Sequence, residues 1–251
     1  MENNVCFLVS SAVATKFGDT HKRALMTINT LSTINANCPG SKIVLLECGQ
    51  EPIPKFFLEH FPPNVTIVPY WDDSNILKII EEAKTYRKIM KIQRYNKDSL
   101  DRLELGYIKS RTETYVFNKF ISSNEFKNID YVFKFSGRYC LTPKFKPSDW
   151  IVDGKICFSK PIPSPFKELG DSYMYATWLW GFSTKILDEV REYYSNTVKC
   201  LTENWLQGKI IDIEHALWKS VPQEMVQIID QGKVGVICFD MGGKPNNNCV
   251  L

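Results

Sequence analysis

The chain has 251 residues, 44% hydrophobic and 24% charged, an ordinary balance for a globular protein with material for a sizeable core. With 31 basic against 28 acidic residues its formal charge is +3, too small to call for a nucleic acid or another polyanion as partner. Eight cysteines without a CxxC pair, and three scattered histidines, speak against a structural zinc site.

Cys6, Cys157 and Cys238 sit inside apolar runs, where a reduced thiol acts as a small hydrophobe. Met1-Glu-Asn-Asn lacks the basic start and apolar core of a signal peptide. No apolar run approaches the roughly 20 residues of a membrane span, and Cys249 stands outside a prenylation box. These features lead to the expectation of a reduced, cytoplasmic protein with no membrane span.

In chain order, Val5 to Val9 is a continuous apolar strand ending at Ser10-Ser11. A helix starts near Thr20 and carries Leu25, Ile28, Leu31 and Ile34 before Pro39-Gly40 stops it. Ile43 to Leu46 is a second strand, Pro52 to Phe61 a short helix, and Val65 to Val68 a third strand finishing at Tyr70-Trp-Asp-Asp-Ser74. Ser74 or Asn75 caps a helix toward Ile92, with Ile76, Ile79, Ile80 and Ala83 inward. Seven basic residues lie between Lys78 and Lys97; a solvated helix face explains them most simply. Tyr95 to Gly106 is polar and reads as a mobile loop, and Thr112 to Ile121 as a helix. This β-α-β-α-β alternation with non-alternating strands indicates an α/β fold with a mostly parallel central sheet flanked by helices. Ligands of such sheets sit beyond the carboxyl ends of the strands. Ser10-Ser11, Asp72-Asp73 and Ser136-Gly137-Arg138 are therefore expected to face one crevice.

Beyond Leu141 five prolines from Pro143 to Pro165 surround the strand Ile156 to Phe158. An aromatic run, Tyr173 to Phe182, precedes a long helix capped by Ser183. Ile210 to Ser220 is a helix candidate, and Val226 to Ile229 and Val234 to Phe239 are strands. There is no repeat or linker, so a single domain over 1–251 is the simplest account.

The central stretch is Asp130-Tyr-Val-Phe-Lys-Phe-Ser-Gly-Arg-Tyr-Cys-Leu141. Its aromatic strand stops on a hydroxyl, a glycine and a guanidinium, the elements of an anion site. In an extended strand Lys134, Ser136 and Arg138 share one face. The alternative is a strand leaving the sheet through a glycine turn, with both cations solvated.

Lys134-Phe-Ser-Gly-Arg-Tyr139, preceded by Gly106-Tyr-Ile-Lys-Ser-Arg-Thr-Glu113, resembles a group of small GT-A-fold glycosyltransferases that carry K-x-S/T-G-R-Y where most relatives have Asp-x-Asp. The helix with Arg23 and Thr27-Ile-Asn-Thr-Leu-Ser-Thr-Ile34 is similar to the one following their nucleotide-binding strand. Asp212-Ile-Glu-His215 resembles the acidic element that carries the base of inverting members. The resemblance implies a GT-A-like (Rossmann-like) domain, with 1–141 as the nucleotide-sugar-binding half and 142–251 as the acceptor-binding half. It implies a nucleotide-diphosphate sugar as donor and a glycan hydroxyl as acceptor, with inversion at the sugar carbon. Ser10, Ser11, Arg23, Asp72, Asp73, Lys109, Arg111, Lys134, Ser136, Gly137 and Arg138 are then the expected donor-binding set. Glu214 is the expected general base, with Asp212 as the second catalytic carboxylate.

Each residue has a plainer reading. Ser10-Ser11 suits a turn, Asp72-Asp73 a helix N-terminal charge pair, and Glu214 a first-turn capping position. Trp178 and Trp180 alternate, so one belongs to the core and the other can offer a sugar platform; His215 is structural or acceptor-binding. No Asp-x-Asp stands at the signature strand, so Lys134 and Arg138 are expected to neutralise the diphosphate directly. A divalent metal, manganese or magnesium on Asp72, Asp73 or Asp240, is compatible with the sequence but not required by it. The competing function is a non-catalytic nucleotide- or carbohydrate-binding module on the same scaffold. The identity of sugar and acceptor and the oligomeric state are not encoded in any motif.

Overall fold

A computed structural model describes residues 4–15, 19–92, 96–123, 126–165, 170, 172–209, 211–239 and 245–250. The first half runs β1 (Val5–Ser11), α1 (Thr20–Asn37), β2 (Lys42–Glu47), α2 (Lys55–Leu58), β3 (Val65–Pro69), α3 (Ser74–Ile92), α4 (Lys97–Ile121), β4 (Tyr131–Ser136) and β5 (Tyr139–Leu141). It continues through β6 (Ile156–Phe158), β7 (Pro161–Pro163), β8 (Tyr173–Tyr175), β9 (Leu179–Ser183), α5 (Leu187–Leu206) and α6 (Ile213–Ser220). Last come β10 (Val226–Ile228), α7 (Gln231–Val234), β11 (Val236–Phe239) and β12 (Pro245–Val250).

Seven strands form one sheet in the order β10-β6-β9-β4-β1-β2-β3. All neighbours are parallel except β9, which runs antiparallel to both β4 and β6. The sheet is mostly parallel, as the continuous apolar runs predict. It draws strands from both sides of residue 141, and β11 pairs with β5 across that point in a smaller sheet.

Alternation along the central strands assigns side chains to two cores. Phe7, Val9, Phe133 and Phe135 meet Leu31 and Ile34 of α1 on one face. Leu8, Val132 and Trp180 meet Phe117 and Phe120 of α4 and Tyr194 of α5 on the other. At the start of α1, Asp19 accepts a hydrogen bond of 3.0 Å from the Lys22 N–H, the usual role of an N-terminal aspartate.

The helix α4 corrects one expectation. Residues from Lys97 to Gly106 are helical rather than a mobile loop. Asn96 caps this helix by accepting from the Ser99 N–H at 2.9 Å, and Leu100 and Tyr107 are buried in a third core with Tyr86 and Trp205. Few inward positions in a polar segment suffice, because the long helix lies between α3 and α5. A second correction concerns cysteine. Cys6, Cys38, Cys48, Cys140, Cys157 and Cys200 are free thiols, but Cys238 is disulfide-bonded rather than reduced. Among the described residues no helix is long and apolar enough to cross a membrane.

Candidate functional site

Pairing in register sets Ser10 of β1 beside Ser136 of β4 at the carboxyl end of the sheet. A cavity of about 250 Å³ opens there. Its polar wall holds Ser10, Ser11, Thr15, Arg23, Thr27, Gln50, Ser136, Gly137 and Arg138. Its other wall is built by α3 and α4, with Ile76, Ile80, Leu105 and Ile108 beside Lys109, Thr112 and Glu113. Three cations, Arg23, Lys109 and Arg138, thus converge on one space. Burial and the neighbouring Arg138 push the Arg23 guanidinium below its ordinary value, which Glu47 partly offsets. Like charges held this close favour an anion between them. Thr112 also lines the cavity, and its hydroxyl is buried without a hydrogen-bond partner among the described residues.

Gly137 is required by its neighbours. Its N–H donates to the Ser10 carbonyl at 2.8 Å. A Cβ there would stand 3.0 Å from that oxygen and 3.0 Å from Ser11 Cβ. Beneath the polar wall the fully buried Glu47 ties two loops together. It accepts from Val13 N–H at 2.8 Å, Gly49 N–H at 2.9 Å and the Ser11 hydroxyl. Burial pushes its carboxyl up in spite of these bonds.

A buried polar chain runs from the cavity floor to α6. Alternation turns Lys134 toward α4, where its ammonium is ion-paired with Glu113. Ser10 Oγ donates to the same Glu113 oxygen at 2.9 Å. Lys134 also donates to the Thr177 carbonyl at 3.2 Å, and Thr177 Oγ1 donates to Glu214 Oε1 at 2.6 Å. The two carboxylates on this chain diverge. Burial alone would raise Glu113, but Lys134 and Lys109 hold it at about 2. Burial raises Glu214, and the adjacent Asp212 raises it further, against the pull of Lys109 and Thr177. Burial raises the Tyr139 hydroxyl, with Arg138 pulling it down and Glu214 and Glu113 pushing it up; Glu214 itself is not among the residues that line the cavity.

Asp212 caps α6. Its Oδ1 accepts from the His215 N–H at 3.0 Å and faces His215 Nδ1 at 2.5 Å. His215 is fully buried, with Nε2 at 2.7 Å from Ser164 Oγ. Asp212 is thus committed to its own helix, and Glu214 is the carboxylate turned toward Thr177.

The structure brings Ser10, Ser11, Arg23, Lys109, Ser136, Gly137 and Arg138 together and leaves other expected residues apart. Lys134 shares a face with Ser136, but the strand ends there and Arg138 lies in the following turn, exposed. With Glu113 as its partner, Lys134 does not offer its charge to a ligand. Asp72 and Asp73 lie in a separate depression with Lys119, because β3 is the outermost strand. Asp73 is held by Lys119 at 2.6 Å, by Tyr115 and by the Asn75 N–H. Asp240 lies outside the described residues. Among the described residues no group of three or more His, Cys, Asp or Glu side chains could hold a metal ion. Arg111 points to Glu82 of α3 at 3.6 Å, away from the cavity. Trp180 is core, stacked among Phe158, Phe182 and Tyr194, and His215 is inaccessible. Trp178 is partly exposed beside Tyr139, with its indole N–H buried and without a partner among the described residues.

Glu113, Thr112, Glu47, Thr177 and the aliphatic wall were not singled out by sequence. Glu113 had a signal: a lysine inside an apolar strand demands a buried carboxylate. No protein-family model matches the chain and no curated protein matches it, so function is read from the geometry.

Proposed function

We propose that the protein is a glycosyltransferase that moves a sugar from a nucleotide-diphosphate donor to a glycan hydroxyl, inverting the sugar carbon. The observation that carries this reading is the convergence of three cations in one cavity whose wall residue Glu113 is linked through Lys134 and Thr177 to a second buried carboxylate, Glu214. Arg23, Lys109 and Arg138 converge at the carboxyl ends of the strands, and Lys109 acts electrostatically on Glu214 as well. Displacement of a diphosphate needs positive charge on the departing oxygens and a base on the opposite face of the sugar.

Arg138 and Arg23 hold the diphosphate in this scheme, with Lys109 between it and Glu214. The nucleoside lies against Ile76, Ile80, Leu105 and Ile108, and the Ser136–Gly137 end of β4 contacts the phosphates. Glu214 takes the acceptor proton as the hydroxyl attacks, and the partly exposed Trp178 offers its ring to the acceptor. Protein cations perform the neutralisation that a metal performs elsewhere.

A thermal-shift screen of nucleoside diphosphates, with and without manganese, identifies the donor class. Transfer assays with the matching sugar donor then give the anomeric configuration of the product by NMR. Stabilisation by a diphosphate without metal, followed by an inverted product, supports the reading. Binding without any transfer supports a binding module instead, and a retained configuration removes the inverting mechanism.

A further inference from the structure

We propose that Thr177 is a positioning residue that fixes the direction of the Glu214 carboxylate, its own segment being anchored by Lys134. This rests on Glu214 acting as the base in the reaction above. Glu214 occupies the first turn of α6. A glutamate there ordinarily folds back onto the unpaired N–H groups of its own helix, which would direct its carboxylate away from any substrate. In this molecule Oε1 instead accepts from Thr177 Oγ1 at 2.6 Å.

Thr177 is suited to that task because it has little freedom. It lies between β8 and β9 and is 5% exposed. Its carbonyl receives the Lys134 ammonium at 3.2 Å, and the next carbonyl, of Trp178, receives the Ser136 N–H at 2.9 Å. On the other side the Ala176 N–H donates to the Lys160 carbonyl at 3.2 Å. A β-branched side chain on a backbone pinned at three successive residues has one well-defined hydroxyl direction. Lys134 explains why the pinning survives burial: its charge is balanced by Glu113, and the same ammonium spans the gap to Thr177.

The charged and titratable groups facing Glu214 come from every neighbouring element. They are Asp212 at its own helix cap, Lys109 and Glu113 from α4, Tyr139 from β5 and Tyr194 from α5. Besides these groups, Thr177 bonds to the Glu214 carboxylate directly, through a neutral hydroxyl. It therefore sets direction, while the charges set basicity.

The test replaces Thr177 with valine, which keeps shape and removes the donor, and with serine, which keeps the donor. The Glu214 carboxyl is followed by carbon-13 NMR against pH, its resonance assigned by its absence in Glu214→Gln. Loss of a donor to the ionised form should move the Thr177→Val titration to higher pH, carrying the acid limb of the turnover profile with it. Turnover should fall about ten-fold, the effect of one hydrogen bond to a charged group, with donor KM unchanged. Thr177→Ser should restore both. Should the valine variant fail to fold, Thr177→Ala beside Thr177→Ser poses the same comparison. A titration unmoved by loss of the hydroxyl, or a serine variant no better than valine, overturns the proposal. Absence of transfer by the wild type with every nucleotide-sugar donor removes the sugar-transfer reading, while the titration still decides whether Thr177 governs Glu214.

Discussion

Glu113 and Glu214 stand at the two ends of the Lys134–Thr177 hydrogen-bonded chain, and both are largely withdrawn from water, yet they are pushed in opposite directions. Glu113 has an ammonium against it and a serine hydroxyl on the same oxygen, and lies at about 2. Glu214 has a neighbouring aspartate and only a neutral hydroxyl bonded to it, and is raised. Residue type does not separate them; the charge next to each does. One is a structural anion that locks β1, β4 and α4 together. The other is a carboxylate that burial and a neighbouring aspartate push up.

Removing the charge from the Glu113 side should have the largest effect on stability. Lys134→Met leaves a buried carboxylate unpaired and should cost about 3–5 kcal/mol in denaturant unfolding. Glu113→Gln added to it should recover a large part, because the uncompensated charge is then gone. An equal loss in single and double variants would mean that packing, not pairing, is the lysine's contribution.

A smaller effect is expected at the cavity mouth, where Arg138 is exposed. Arg138→Ala should weaken a nucleoside diphosphate by about 1.5–3 kcal/mol in calorimetry and leave the nucleoside nearly unchanged. Equal losses for both ligands would move the phosphate site away from Arg138.

Acid titration of stability sharpens the comparison at the smallest scale. A depressed group such as Glu113 contributes stability above its ordinary value of 4.5 that is lost as pH falls toward about 2. The Glu113→Gln penalty in melting temperature should therefore shrink over that window. Glu214 is raised, so its ionisation opposes folding as pH rises through its folded value. Glu214→Gln should melt higher than wild type at neutral pH, with the gain fading on acidification. Slopes of the same sign would dissolve the distinction.

The sheet was legible because parallel strands covered on both faces are continuous apolar runs, as in Val5 to Val9. So was the meeting of Ser10-Ser11 with Ser136-Gly137-Arg138, since strand ends converge in such folds, whereas Arg23 and Lys109 were expected there only through the resemblance. The strand-end rule failed for Asp72-Asp73 because it takes no account of β3 being the outermost strand, two away from β4's neighbour β1. The first turns of α4 were hidden by polarity, as only a few apolar residues, Leu100 and Tyr107 buried and Leu103 partly so, carry the inward side there. Alternation foresaw that Trp178 and Trp180 differ, and the pairing of Trp180 with Lys134 in register assigned the core role to Trp180. The partner of Lys134 was 21 residues away on a helix, a contact that no local pattern reports.

Turnover of Glu214→Gln at saturating donor tests the central claim most directly. The substitution keeps size and the bond to Thr177 while removing basicity. The account predicts a fall of about 100-fold or more, the usual loss when a general base is removed, with donor affinity preserved. Turnover close to that of the wild type, with Asp212→Asn inactive instead, would contradict it.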